Sequence, residues 1–205
     1  MQRGSKRKRV ARGAARRSKS NWSGRARPQD AIALLKADHR QVEEWFEQFE
    51  NTSSSTRKSD LATKICNALR AHTIIEEEIF YPAFLEATEE EDIHHEAEVE
   101  HDGAKKLIAQ IEKSGPNDDY FDARVTVLAE MIKHHVKEEE KRDGMFAKAR
   151  ASDMDLVVLG EQLAARKAQV MGSDAEDDES PRRSRRGGER DAGMMARDPR
   201  RSRAE

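Results

Sequence analysis

The chain reads as all-α: an up-down four-helix bundle, one additional C-terminal helix, and disordered tails at both ends. Three observations predict this. Apolar residues recur at three- and four-residue steps from residue 29 to about residue 150, the period of helices buried along one face. Valine-rich stretches are short, and no two-residue alternation persists long enough to make a strand. Charge is segregated: residues 1–27 carry 11 Lys/Arg and no Asp or Glu, residues 28–171 carry 18 basic against 31 acidic side chains, and residues 172–205 carry nine of each.

The first helix runs from about Gln29 to Glu50, with Ile32, Leu35, Val42, Phe46 and Phe49 recurring around His39. The polar run NTSSST (51–56) makes a loop. The second spans roughly Arg57 to Leu85 through Leu61, Ile65, Leu69, Ile75 and Ile79, and Pro82 is expected to end or kink it. The third covers about Glu90 to Lys113 and stops at Ser114-Gly115-Pro116. The fourth runs from about Asp119 to Arg150 through Val125, Leu128, Met131, Ile132 and Val136. A shorter fifth follows from about Asp153 to Val170, with Ser152 as its N-cap.

The domain is therefore expected at 28–171. Residues 1–27 and 172–205, the latter an acidic block followed by an Arg-rich one, are too polar to offset the entropy of ordering and are expected to be disordered. Cys66 is the only cysteine, which excludes an intramolecular disulfide or a thiolate cluster and suits a reducing compartment. No apolar run is long enough to span a membrane, and the basic N-terminus lacks the apolar stretch of a secretory signal. A cytoplasmic location is the expectation, and nothing in the sequence signals an oligomeric state.

The chemistry resides in a spacing. His72 precedes Glu76 by four residues, and His135 precedes Glu139 by four, which stacks each pair one turn apart on one helix side. Both pairs share that side with apolar residues: Ile65, Leu69 and Ile79 for the first, Leu128, Ile132 and Phe146 for the second. His39 falls with Ile32, Leu35, Val42 and Phe46, and His101 with Ala97, Ala104 and Ile108. The rival pair His134/Glu138 is rotated by about 100°, toward the polar face.

Burying two carboxylates and four imidazoles costs several kcal/mol per uncompensated ion, an objection that a pair of cations removes. Four nitrogens and two bridging carboxylates offer roughly eight donor atoms to two metals that need about ten, which leaves open positions for a small molecule. Such donors suit iron or manganese best, with zinc also possible. His94, His95 and His134 are expected to be solvated or at most beside the ligands, although His94 lies two turns before His101 on the same face. Glu77, Glu78, Glu138 and Glu140 are expected outside.

The segments DAIALLKADHRQVEEWFEQFE, HTIIEEEIFYPAF, EVEHDGAKKLIAQIE and VTVLAEMIKHHVKEEE, in that order, resemble the hemerythrin-like family with the HHE cation-binding domain. The resemblance covers nearly all of 28–150. It implies a helical bundle around a non-haem di-iron centre, two iron ions sharing an oxo or hydroxo bridge, with His39, His72, Glu76, His101, His135 and Glu139 as metal ligands. Members of the family bind O₂ or NO, sense oxygen or iron, or break down peroxide. The O₂-carrying branch has a further inward histidine where this chain has Ala97, and ends with a histidine and a more distant aspartate where this chain has HxxxE. These departures point away from reversible O₂ transport. The FYP motif of the second helix recurs only in part on the fourth, as Met145-Phe146-Ala147.

The leading expectation is a cytoplasmic di-iron protein that binds, senses or detoxifies O₂, H₂O₂ or NO; if it is an enzyme, it is a peroxide- or NO-directed oxidoreductase. No nucleophilic triad, phosphate loop or thiolate motif indicates other chemistry. The alternative is a nucleic-acid-associated protein. Its basis is the polybasic tail, where KRKR, ARGAARRSK and GRAR can neutralise phosphates and Trp22 can stack on a base, with the bundle as sensor or protector.

Overall fold

A computed structural model describes residues 29–179, with side chains through Gly172. It is built from α1 (Ala31–Glu50), α2 (Ser55–Ile75), a π-helical segment (Glu76–Phe80), α3 (Tyr81–Thr88), α4 (Glu91–Lys113), α5 (Phe121–Glu140), α6 (Met145–Ala151) and α7 (Leu156–Glu179). The described residues contain no strand. The architecture is the predicted four-helix bundle with a further C-terminal helix. Its corners are α1, the continuous α2–π–α3 rod, α4 and α5, each packed on the next, with α7 laid across α1, α2 and the π segment. No helix among the described residues is long and apolar enough to cross a membrane. The tail expectations for 1–27 and for most of 172–205 lie outside the described residues.

Helix starts follow capping chemistry. The Asp30 side chain accepts from the Ala33 N–H at 2.7 Å, and Ser54 Oγ accepts from the Arg57 N–H at 3.4 Å.

Four boundaries differ from the expectation. Pro82, expected either to end the second helix or to kink it, does not end it. The turn before it widens to π geometry, with the Tyr81 N–H bonded to Glu76 O, and the rod continues to Thr88. A proline lacks the N–H an α-ladder needs, and a π turn upstream re-registers the backbone around it. The rod stops at Glu89, the one non-glycine residue with positive φ among those described (φ 57°), whose N–H caps Leu85 O at 2.9 Å.

The fourth helix is broken at residues 141–144 instead of running to Arg150. Lys141 is extended, and the chain folds back so closely that a Cβ on Gly144 would lie 2.2 Å from Glu138 O and 2.7 Å from Glu139 O. Only glycine allows that approach. The fifth helix starts at Leu156, not near Asp153. Asp155 Oδ1 accepts from the N–H groups of Val157 and Val158, whereas Ser152 closes α6 by donating to Ala149 O. At its other end α7 continues to Glu179, past the end expected at about Val170.

The core falls into two clusters. One contains Val42, Phe46, Leu69, Ala104, Ile108 and Leu128; the other contains Ile32, Leu35, Ile75, Phe80, Phe84, Ala97 and Met145. On every bundle helix a buried histidine falls between them: His39 between Leu35 and Val42, His72 between Leu69 and Ile75, His101 between Ala97 and Ala104, and His135 between Leu128 and Met145. The polar layer is thus sandwiched between two apolar ones, and burial there strengthens the charge interactions inside it.

Candidate metal centre

All six predicted residues converge in this layer, and each is at most 5% exposed. The Nε2 atoms of His39 and His72 face each other at 3.1 Å, and those of His101 and His135 at 3.3 Å. Glu76 spans both pairs, with Oε2 3.2 Å from His72 Nε2 and 3.4 Å from His101 Nε2. Glu139 does the same from the opposite side, 3.4 Å from His39 Nε2 and 3.6 Å from His135 Nε2. Two overlapping donor groups result: His39, His72, Glu76 and Glu139; and Glu76, His101 and His135.

The donor atoms fit cations better than they fit one another. Glu76 Oε1 and Glu139 Oε2 are buried without a hydrogen-bond partner, and a buried carboxylate oxygen left so is costly. In neutral rings that keep their proton on Nδ1, the two Nε2 atoms of each pair face each other lone pair to lone pair with no proton between them. Positive charge at two points between the pairs would satisfy these atoms together.

Four carboxylates that the sequence reading left out, or placed outside, surround the histidines. Asp38 bonds His72 Nδ1 (3.4 Å), Glu77 bonds His101 Nδ1 (2.9 Å), Glu100 bonds His135 Nδ1 (2.8 Å) and Glu140 bonds His39 Nδ1 (2.9 Å). Glu77 and Glu140 therefore correct the expectation that both lie outside. Glu78, paired with Arg166, is exposed as expected, and Glu138 pairs with Lys141 at the periphery.

The geometric cause is regular. Each of the four carboxylates is the chain neighbour of an inward residue on its own helix, yet serves a histidine on the next helix around the ring, α1 to α2 to α4 to α5 and back to α1. It stands one residue before that inward residue on α1 and α4 and one after it on α2–π and α5. Antiparallel neighbours run in opposite directions, so opposite one-residue steps turn side chains the same way round the bundle. That alternation was the signal available in the sequence.

Bonding Nδ1 to a carboxylate fixes each ring's tautomer and turns Nε2 inward, and raises its basicity as a ligand. Three of the carboxylates are themselves held by cations: Glu140 by Lys36 and Arg40, Glu77 by Lys105, and Asp38 by Lys167 of α7. Phe146, the remnant of the second FYP motif, stacks on the His39 ring with centroids 5.7 Å apart. Glu140→Ala is expected to weaken metal binding by about 10–100-fold while leaving helix content intact. Competition against a chromophoric chelator measures this, and an unchanged affinity would show that the outer carboxylates do not orient the rings.

Tyr81 was also missed. Its Oη lies 3.1 Å from His101 Nε2, 3.4 Å from Glu76 Oε2 and 3.3 Å from Glu139 Oε1, which puts a phenol inside the donor layer. Only the π turn, invisible to an α-helical projection, brings Tyr81 to the same side as Glu76. His94 packs its ring edge-to-face on Tyr81 at 5.9 Å and belongs to neither donor group; His95 and His134 are exposed.

Burial pushes the Glu139 carboxyl up to about 7, and the charge of Glu76 adds to the shift. Burial opposes ionisation of Glu76 too, but His72 and His101 hold it well below the ordinary carboxylate range. Burial opposes protonation of His72 and His101, yet Glu76 and the outer carboxylates outweigh it, raising them to about 10 and about 9. At His39 burial wins and its pKa falls. The hydrogen bond from His39, against the cost of burial, brings Glu140 down to about 2.

A four-helix bundle with a buried, carboxylate-braced His/Glu layer defines a helical cation-binding protein. The chain belongs to the hemerythrin HHE cation-binding domain family, whose pattern it matches over residues 30–147. Among solved structures it is similar to a hemerythrin HHE cation-binding domain-containing protein from Mycobacterium kansasii. The TM-score is 0.62 at 24% identity, over 74% of this chain and 93% of that one, and the likeness is one of fold. Among curated proteins it is similar to a DNA nickase from Nostoc sp., 29% identical over 107 residues. That match covers 52% of this chain but only 30% of the nickase.

Proposed function

We propose that the protein is a non-haem di-iron protein that binds, senses or detoxifies a small oxidant, O₂, H₂O₂ or NO, in the cytoplasm. The observation that carries this reading is that Glu76 and Glu139 each reach both histidine pairs while each keeps a buried oxygen unbonded. His39, His72, Glu76 and Glu139 would hold one cation, and His101 and His135 with the same two carboxylates the other; Tyr81 offers a further oxygen. Iron suits this mixed nitrogen and oxygen set best, ahead of manganese and zinc. Bound there, the two ions would supply electron transfer and Lewis acidity to a small molecule.

The chain's own residues prepare that chemistry. Asp38, Glu77, Glu100 and Glu140 hold the imidazole planes, so the centre requires little rearrangement on loading. Burial and the two carboxylates push the Tyr81 phenol well above its ordinary pKa, so it keeps its proton and can donate it to Glu139 Oε1. The flanking apolar clusters keep bulk water out.

Loading must displace protons. His72 and His101, at about 10 and about 9 in the metal-free protein, are charged at neutral pH, whereas a metal requires the neutral imidazole. Metal uptake at pH 7 is therefore expected to release about two protons per chain, and affinity should fall as pH falls. Calorimetry in buffers of different ionisation enthalpy reads the number directly, and zero release would contradict the assignment. The sign for metal-free stability follows from the same shifts. Raised folded values give a stabilisation present in full below the ordinary 6.5 and lost as pH rises through about 9 and about 10.

A second reading rests on the polybasic residues 1–27 and is favoured by the similarity to a protein named as a DNA nickase. In it the tail neutralises phosphates while the bundle senses metal or oxidant. The full chain is then expected to be retained on DNA in a salt-sensitive way, and deletion of 1–27 should abolish retention. Retention unchanged by the deletion, or absent from the full chain, removes this reading.

A further inference from the structure

Resting on the di-iron reading, we infer that small molecules reach the centre through an opening between α4, α5 and α6 over Ala97, and meet the His135/Glu139 side first. A cavity of about 30 Å³ lies there, walled by Ile93, Ala97, Glu100 and Gly144 and reaching His135 and Glu139. That volume exceeds the roughly 10–15 Å³ a single water requires and suits a ligand of two or three atoms. A second void, between His39, His72, His101 and His135, measures about 10 Å³ and is lined otherwise by groups such as Val42, Leu69 and Ile132, which makes it too small to serve as a path. The wide groove of about 750 Å³ between α1 and α5 touches His39, but Glu140, held by Lys36 and Arg40, stands there on the Nδ1 edge of that ring.

The outer carboxylates point to the same side. Glu77, Asp38 and Glu140 are each clamped by a lysine or arginine, whereas among the described residues no lysine or arginine bridges Glu100; its other partner is His134, at 3.3 Å and largely exposed. Permanent cations thus clamp three of the four outer carboxylates and not Glu100; the lysine that lines the opening, Lys141, pairs with Glu138 instead. The remaining wall is firm, because the Gly144 backbone is pressed against the last carbonyls of α5. Ala97 is 5% exposed, and its single methyl leaves the free volume that any longer side chain would occupy.

Two measurements on the full chain test this. In the iron-loaded protein, Ala97→Leu is expected to keep the iron content and helix content of the parent while slowing azide association by about tenfold or more; Glu47→Leu, in the α1–α5 groove, should leave the rate unchanged. An unchanged azide rate in Ala97→Leu at full iron content, or slowing by Glu47→Leu instead, overturns the route. The second measurement needs no iron, so it separates failure of the route from failure of the di-iron reading. In metal-free Ala97→Cys, methyl methanethiosulfonate should modify the new thiol about tenfold faster than buried Cys66, whose pKa burial pushes up to about 12. Mass spectrometry of the two peptides reads the difference, and equal inertness of both thiols shows that no path to residue 97 exists.

Discussion

Glu76→Ala should strip the protein of both metal ions, not of one. Glu76 belongs to both donor groups and contacts one histidine of each pair, so its removal takes a ligand from each position at once. It also removes the charge that most raises His72, and a major one at His101. The expected result is an iron content below about one-tenth of the parent's, with far-UV circular dichroism close to that of the metal-free parent, since the flanking apolar clusters hold the bundle. His72→Ala should be milder, because Glu76, Glu139 and the other histidine pair remain. Full iron occupancy in Glu76→Ala would mean that the carboxylate does not bridge.

Gly160→Ala is expected to have the largest effect on stability. A Cβ at that position would stand 2.3 Å from Gln29 O and 2.9 Å from Ala31 N, so α7 can seat on the start of α1 only through a glycine. The obstructing atoms are backbone and cannot swing aside, which places the cost at about 1–3 kcal/mol or more. Displacing α7 also separates Lys167 from Asp38 and exposes Leu163, which is fully buried. Thermal unfolding of the metal-free variant should therefore occur several degrees lower, by about 2–8 °C. An unchanged midpoint would show that the α7–α1 contact is loose.

What the sequence revealed of this protein follows from the range of the physics involved. The helices on α1 and α4 and the inward placement of all six His/Glu residues were legible because they depend on local period alone. The break at 141–144 was not, because Gly144 is required by a carbonyl one turn back, a contact an ideal helix does not contain. Tyr81 was hidden for a related reason: one extra residue in the π turn rotates everything after Glu76. Glu77 and Glu140 looked like solvated members of acidic runs, and only the identity of the adjacent helix shows that they face a histidine. Asp38 and Glu100 lie beside predicted ligands and went unremarked because their partners are on another helix.

The most direct measurement is metal analysis of the full chain produced with iron, read together with its near-ultraviolet and visible spectrum and compared with His72→Ala. Two irons per chain, the charge-transfer bands of a coupled diferric pair, and loss of iron in His72→Ala are the results predicted. A parent chain that saturates below two irons, or a His72→Ala protein that retains two, would contradict the account.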